Sequence, residues 1–148
     1  MPRTAAEKRA IFRDLHTSGC FVLPNPWDIG SARYLQSLGF KALATTSSGF
    51  AWSMGKADNS SPREAILAHL RALVDATDLP VNADFENGFG MNEEELAQSV
   101  GLAVETGVAG LSVEDSTGDA DAPLFAIDVA VKRIKAARRA IDARGGDT

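Results

Sequence analysis

The sequence predicts an α/β fold in which helices cover a parallel sheet. Two observations support this: short β-rich segments alternate with segments of helical periodicity, and several predicted helices begin at clear capping residues. Strands that alternate with single helices are typical of parallel sheets, because each crossover returns the chain to the same edge. A length of 148 residues and a hydrophobic content of 45% fit one domain over residues 1–148.

An N-terminal helix is predicted first, followed by four strand–helix units. The strands are predicted at residues 21–23, 42–46, 81–83 and 110–113. The helix caps are predicted at Thr4, Asp28, Ser61 and Asn92, three of them followed three residues later by glutamate. The last helix is predicted from an apolar stripe of Ile127, Val131, Ile134 and Ile141. The basic residues around this stripe are interpreted as a solvated face: Lys132, Arg133, Lys135, Arg138 and Arg139.

Composition excludes several classes of function. The net charge of −5, without a basic cluster, argues against a nucleic-acid partner, and no apolar run is long enough to span a membrane. The N-terminus lacks a secretion signal, so a cytoplasmic protein that binds small molecules is expected. Cys20 is the single cysteine, which excludes an internal disulfide and a multi-cysteine zinc site; it is interpreted as a buried structural thiol.

Three acidic residues stand at the ends of two neighbouring strands. Asp84 and Glu86 follow the third predicted strand, and Glu114 follows the fourth, 30 residues beyond Asp84. That spacing suits one strand–helix–strand unit, so the three carboxylates should meet at one edge of the sheet. Two like charges about 4 Å apart repel by roughly 4 kcal/mol near a protein surface, which favours a bound cation. Carboxylate oxygens suit Mg²⁺; the alternative is that these residues are solvated loop acids.

Further candidates lie after the first two predicted strands, where parallel α/β folds bind ligands. Trp27 either walls a pocket or packs in the interior. A run of small hydroxyl residues, 45–48, is followed by Gly49 and Phe50. This segment would let backbone N–H groups approach an anion. Asp58 lies in a polar stretch and is either a solvated loop acid or an inward-reaching acid, base or outer-shell metal ligand.

Four motifs in this order resemble the isocitrate lyase and phosphoenolpyruvate mutase superfamily over essentially the whole chain. They are residues 24–28 with 31–33, Ser48-Gly49, residues 84–90 and residues 113–115. The resemblance implies a partial (β/α)8 TIM barrel that uses Mg²⁺ to make or break a C–C or C–P bond beside a 2-oxo acid carboxylate. Bond cleavage beside a carbonyl builds an enolate, whose charge a metal stabilises.

By the same resemblance, Asp84 would bind Mg²⁺ directly, and Glu86 and Glu114 would hold it chiefly through water. Asp58 would act as a catalytic residue on a gating loop. The substrate would be bound by Trp27, Ser48, Gly49 and Phe50.

Two departures from the superfamily pattern bear on function. Residues 116–123 contain no cysteine, whereas isocitrate and methylisocitrate lyases carry a Lys-Lys-Cys-Gly-His-type loop there, and Glu86 replaces the more usual aspartate. A full barrel needs about 250 residues, so the chain is expected to form an N-terminal half-barrel. Its open edges then predict pairing with another copy, forming a homo-oligomer, or with a missing half.

These expectations give one leading hypothesis and two alternatives. The leading hypothesis is a Mg²⁺-dependent C–C bond lyase that acts on a small 2-oxo or 2-hydroxy dicarboxylate. The first alternative is mutase or hydrolase chemistry on the C–P bond of a phosphonopyruvate-like substrate. The second is a half-barrel remnant that keeps the acidic residues without catalysis.

Overall fold

A three-stranded parallel sheet with helices packed against it forms the centre of the computed structural model, which describes residues 2–148. The elements are α1 (Ala5–Leu15), α2 (Ile29–Ser37), β1 (Leu43–Ala44), α3 (Ser47–Ser53), α4 (Arg63–Ala76), β2 (Val81–Asp84), α5 (Glu93–Val104), β3 (Gly110–Ser112) and α6 (Ile127–Asp142). The predicted α/β class is therefore confirmed.

The strands lie in the order β1-β2-β3, and both pairs are parallel. Leu43 is paired with Val81, and Asp84 is level with Ser112. Because parallel strands end on the same side, the residues that follow Asp84 and Ser112 lie next to each other. The backbone pairing continues past the strand ends, where the Glu114 N–H donates to the Glu86 carbonyl at 2.8 Å.

The core lies between one face of the sheet and the helices α4, α5 and α6. In β2, Val81 and Ala83 are buried, and Asn82 and Asp84, which alternate with them, are less buried. Alternation places these two polar side chains on the opposite face of the sheet. The largest fully buried side chains include Phe85, Leu43, Ile66, Leu70, Leu73, Leu96, Val81, Val100 and Val108.

The first predicted strand, at residues 21–23, is not present in the structure, which has three strands within residues 2–148. The segment still runs beside β1, since the Ala44 N–H donates to the Pro24 carbonyl at 3.0 Å. Pro24 and Pro26 have no N–H to donate, so a regular ladder cannot form around them. The prediction of four strands was wrong for this reason.

Two further predictions near the second strand need correction. Residues 47–53, predicted as loop, form the short helix α3, which Thr46 caps by accepting the Gly49 N–H at 3.1 Å. The predicted cap at Ser61 is also wrong: α4 begins one residue later, with Pro62 in the cap position and no side-chain hydrogen bond. The caps predicted at Thr4, Asp28 and Asn92 are confirmed.

The apolar stripe predicted for α6 does not form its buried face. Ile127, Val131 and Ile134 are exposed at 85%, 45% and 50%, and Ile141 alone of the four is buried. The core contacts of α6 come from small residues, Ala136, Ala137 and Ala140, which let the helix approach α5 closely. Arg133, interpreted as solvated, is only 3% exposed. Both corrections concern the rotation of the helix, which the neighbouring α5 decides.

Cys20 is exposed rather than buried as predicted, because it lies in the irregular segment that follows α1. No helix within residues 2–148 combines the length and the apolar character that a membrane span requires.

Candidate functional site

The candidate site lies beyond the ends of β2 and β3, where the structure brings the predicted acidic residues together. Asp84 is the last residue of β2, and Glu86 follows two residues later. Glu114 follows β3 by the same interval and bonds to the Glu86 backbone. The two strand ends therefore place three carboxyl groups at one edge of the sheet, as the spacing predicted.

A serine on α3 fixes the Asp84 carboxylate. Both the N–H and the hydroxyl of Ser47 donate to Asp84 Oδ2 at 2.8 Å. The Asp84 N–H in turn donates to Thr45 Oγ1 at 2.9 Å. Within residues 2–148, Oδ1 of Asp84 accepts no hydrogen bond, so this oxygen is free to bind a ligand. Sequence reasoning missed Ser47, although it belongs to the hydroxyl-rich run that was assigned to anion binding.

Glu86 reaches the site by a backbone conformation that the sequence did not predict. The strand ends at Asp84, and Glu86 has φ of +46°, in the left-handed region that is uncommon for residues other than glycine. Glu86 therefore does not continue the extended backbone of β2. The residue is nevertheless 7% exposed and lies close enough to Asp84 for their charges to interact.

The carboxyl groups at this edge carry uncompensated negative charge. Burial, followed by the charges of Asp84, Asp58 and Glu114, raises the pKa of Glu86 to about 7. Burial and the charges of Asp84, Asp58 and Asp115 also raise the pKa of Glu114. Within the part of the chain that the structure describes, no lysine or arginine forms an ion pair with Asp58, Asp84, Glu86 or Glu114.

Asp58 belongs to the polar segment between α3 and α4. Its Oδ1 accepts the N–H of Asn59, which has φ of +57°, at 2.8 Å, and the residue is exposed. Its charge acts on both Glu86 and Glu114. Asp58 is therefore near enough to Glu86 and Glu114 for its charge to affect both.

The donor set suits a hard divalent cation that keeps part of its water shell. Across residues 2–148, no three His, Cys, Asp or Glu side chains converge closely enough to bind one ion directly. Mg²⁺ is usually bound through one or two carboxylates and several waters, and Asp84, which has one oxygen without a hydrogen bond, could supply such a ligand. The unbalanced charge of the cluster also favours a cation.

Three of the four predicted substrate-binding residues line one cleft. Trp27, Ser48 and Gly49 surround a cavity of about 460 Å³ together with Asn25, Thr46, Trp52 and Ser53. Trp27 is 50% exposed, so the interpretation of this residue as a pocket wall fits better than interior packing. The structure places the fourth residue, Phe50, away from the cleft, stacked on His69 with ring centroids 3.9 Å apart.

The requirement for glycine at position 49 has a different cause from the one predicted. A Cβ at this position would lie 2.7 Å from Thr46 Cγ2 and 3.3 Å from Trp27 Cβ. The Gly49 N–H already donates to Thr46 Oγ1. Close packing of α3 against Trp27 therefore explains this glycine without a ligand.

A second opening, beside Glu114, is apolar and faces outward from α6. It has a volume of about 590 Å³ and lies between the end of β3 and the exposed residues Ile127, Val131 and Ile134. β3 is the last strand of the sheet within residues 2–148, so no strand pairs with its outer side. An exposed sheet edge beside exposed apolar side chains is typical of a surface that another element covers.

Comparison with known proteins places these features in a family. The family described as phosphoenolpyruvate phosphomutase matches residues 12–148. A structure described only as a lyase/mutase, from Burkholderia cenocepacia J2315, is 51% identical with a TM-score of 0.91, covering 94% of this chain and 50% of that one. The structure of 2,3-dimethylmalate lyase, a PEP mutase/isocitrate lyase superfamily member, is 30% identical with a TM-score of 0.84, covering 99% of this chain and 52% of that one.

Two further relatives bear on the chemistry. Phosphonopyruvate hydrolase, solved with oxalate and Mg²⁺, is 25% identical with a TM-score of 0.79, covering 93% of this chain and 48% of that one. The 2-methylisocitrate lyase of Escherichia coli (strain K12) is 32% identical over 85 residues, which are 56% of this chain and 29% of that protein. The chain thus spans about half the length of these three solved structures and less than a third of that lyase.

Proposed function

Because this chain belongs to the phosphoenolpyruvate phosphomutase family, whose relatives include lyases, mutases and hydrolases, we propose that it supplies the metal-binding side of a C–C bond lyase. The proposed substrate is a small 2-oxo or 2-hydroxy dicarboxylate. The observation that carries the proposal is the cluster of Asp84, Glu86 and Glu114, which has no cationic partner within residues 2–148.

Asp84 is proposed to bind Mg²⁺ directly, and Glu86 and Glu114 to hold it through water. Ser47 keeps the Asp84 side chain fixed, so that Oδ1 stays available. When bound there, Mg²⁺ would supply positive charge that stabilises the negative charge developing on the substrate during bond cleavage. A phosphonopyruvate hydrolase solved with Mg²⁺ supports this choice of metal.

The remaining site residues are proposed to bind the substrate and transfer protons. Trp27 and Ser48 line the cleft that would hold a carboxylate end of the substrate. Asp58 is proposed as the catalytic acid or base, because it is exposed and its charge acts on Glu86 and Glu114. Gly49 is assigned to packing between α3 and Trp27, and Phe50 to the support of α3 through His69.

The substrate class is proposed from the relatives that cleave C–C bonds. One of the similar proteins is named as a lyase of 2,3-dimethylmalate, a 2-hydroxy dicarboxylate, and another as a lyase of 2-methylisocitrate, a tricarboxylate. Phosphonopyruvate chemistry remains the second candidate, since phosphonopyruvate hydrolase has the same fold over 93% of this chain. A half-barrel remnant without catalysis is the third, because the chain spans about half of these structures.

The apolar opening beside Glu114 is proposed to be covered in the active protein. Further strand and helix units would pair with the open edge of β3 and pack on Val131 and Ile134. They would come from a second copy of the chain or from another half-barrel, either on a separate chain or in further sequence of this one. Light scattering of the pure chain separates these sources: a stable dimer supports self-pairing, and a monomer that forms a complex only with an added half-barrel supports the other.

A cytoplasmic location stays a prediction from the sequence.

Calorimetric titration with Mg²⁺ tests the proposed metal site. We expect saturable binding to the wild-type chain and a loss of at least about tenfold in affinity in Asp84→Ala. Asp119→Ala, which changes an exposed acid in the loop after β3, is the matched control. Equal binding by wild type and Asp84→Ala would contradict the metal site. Pyruvate release from dicarboxylates and from phosphonopyruvate then divides the two enzymatic candidates.

A further inference from the structure

The turn after β2, residues 86–90, has a strained backbone. Glu86 and Phe89 have φ of +46° and +53°, and Gly88 between them has φ of +85°. Residues other than glycine held in this region cost of order 1–3 kcal/mol each, so they persist only where surrounding contacts impose them. The turn carries Glu86 itself and begins two residues after Asp84. Whatever holds this turn therefore also sets the position of the Glu86 carboxyl group.

The buried side chain of Arg133, on α6, holds this turn. Its Nη2 donates to the carbonyls of Asn87 and Gly90 at 2.7 and 3.0 Å, and so spans the turn from one end to the other. The guanidinium also lies over the ring of Phe125, with Cζ 4.4 Å from the ring centroid. The Phe125 N–H donates to the Asp115 carbonyl at 2.8 Å, which links the arginine to the segment that carries Glu114.

Arg133 lacks the partner that a buried arginine usually has. It is 3% exposed, and no carboxylate within residues 2–148 forms an ion pair with it. Its Nε is buried without a hydrogen-bond partner. A buried charge without a counter-ion is costly, and an apolar side chain of similar volume would often be more stable. A geometric role accounts for a charged residue at this position better than stability does.

We propose that Arg133 is a positioning residue, which fixes the turn at residues 86–90 and thereby keeps Glu86 beside Asp84 and Glu114. It bridges the segments after β2 and β3 without touching the acidic side chains. This inference rests on the proposed function for its effect on Mg²⁺, but its effect on the turn is independent of any metal.

The test compares Arg133→Met with wild type in two measurements on the full chain. The first is hydrogen exchange of a peptide covering residues 86–91 in metal-free protein, where we expect exchange to become at least about tenfold faster. Exchange within α4 should stay unchanged. The second is Mg²⁺ affinity by calorimetry, where loss of an outer-shell contact is expected to cost about 10- to 100-fold.

Matched variants separate positioning from general loss of stability. Arg139→Met removes an exposed arginine from the same helix and should change neither measurement. Arg133→Lys, which keeps a donor for the two carbonyls, should recover part of the affinity and also serves if Arg133→Met fails to fold. In a Glu86→Gln background, Arg133→Met should cost little further Mg²⁺ affinity, because the arginine acts through Glu86.

The possible results test the inference about Arg133 and the proposed metal site separately. If wild type binds Mg²⁺ and Arg133→Met binds it equally well, the inference is overturned. It is also overturned if Arg133→Met loses as much affinity in the Glu86→Gln background as in wild type. If wild type does not bind Mg²⁺, the proposed metal site fails, and hydrogen exchange alone decides: unchanged exchange at residues 86–91 overturns the role of Arg133.

Discussion

Glu86→Gln should stabilise the metal-free chain, and the gain should grow with pH. Glutamine keeps the size of the side chain and resembles the protonated carboxyl group, but it carries no charge at any pH. Burial and the nearby charges of Asp84, Asp58 and Glu114 act against ionisation of Glu86 in the folded chain. In the unfolded chain these influences are absent, so the substitution removes a cost that only the folded state bears.

The magnitude follows from the pKa of Glu86, which is about 7 against an ordinary value of 4.5. Each unit of difference between the pKa in the folded state and in the unfolded state corresponds to about 1.4 kcal/mol of stability. Below pH 4.5 Glu86 is protonated in both the folded and the unfolded state, so it does not reduce the stability of the fold there. Between pH 4.5 and 7 the folded state keeps a proton that the unfolded state has lost, so stability falls as pH rises. Above pH 7 the full cost is about 3 kcal/mol.

Urea unfolding followed by circular dichroism measures this effect. The free energy of unfolding of Glu86→Gln should exceed that of wild type by about 1 kcal/mol near pH 5 and by about 3 kcal/mol near pH 8. Glu94→Gln, at an exposed position in the first turn of α5, is the control and should change the free energy of unfolding by less than about 1 kcal/mol at either pH. Added Mg²⁺ should stabilise wild type near pH 8 more than it stabilises Glu86→Gln.

A difference between Glu86→Gln and wild type that stays constant from about pH 5 to pH 8 would refute this reasoning. It would mean that Glu86 ionises as easily in the folded chain as in the unfolded one. The acidic residues would then be too far apart, or too well solvated, to favour a cation. A gain in stability that salt alone abolishes would assign the effect to screened, long-range charge rather than to burial.

Three other substitutions test separate contacts by urea unfolding near neutral pH. Ser47→Ala removes the hydroxyl bond to Asp84 and should cost about 1–2 kcal/mol, because the bond is made to a charged group. Gly90→Ala should cost at least about 1–3 kcal/mol, since its Cβ would lie 2.3 Å from the backbone nitrogen of Leu96. Lys8→Met should cost about 1–3 kcal/mol, because two carbonyls at the end of α4 lose the buried ammonium that donates to them.

Each of these substitutions has a control of the same type. Ser48→Ala should cost less than Ser47→Ala, because Ser48 Oγ shares a hydrogen bond only with the neutral Thr46 hydroxyl within residues 2–148. Gly30→Ala, inside α2 with no atom closer than 3.5 Å, should be neutral or stabilising. Lys41→Met changes an exposed lysine and should stay within about 0.5 kcal/mol of wild type. A reversed order within any pair would contradict the contact assigned to it.

The predicted features that the structure confirms depend on local signals. Capping at Thr4 and Asp28 requires only a side-chain oxygen next to the first N–H groups of a helix. The order of strand and helix units also follows from short-range patterns, and the superfamily resemblance found in four motifs agrees with the family match. The same reasoning put acidic residues at neighbouring strand ends, since a single crossover makes β2 and β3 parallel neighbours.

The wrong predictions concern the exact backbone path and the contacts of a segment, which short sequence patterns do not determine. The composition of residues 21–23 predicts a strand, but Pro24 limits the pairing of this segment with β1. The sequence predicts Ser61 as a cap, but the N-cap position of α4 is one residue later. Gly88 and Gly90 lie against Leu96 in the first turn of α5, which leaves no room for a Cβ at either position.

The sequence by itself determined the parallel α/β class, the family and the acidic residues that follow β2 and β3, because these depend on residue type and spacing along the chain. The tertiary structure decided how the acidic residues are held: Ser47 reaches Asp84 from α3, Glu86 adopts a left-handed backbone, and Arg133 is buried against the turn. These contacts join residues about 37 to 46 positions apart, and each one depends on how a helix is rotated and packed against the sheet.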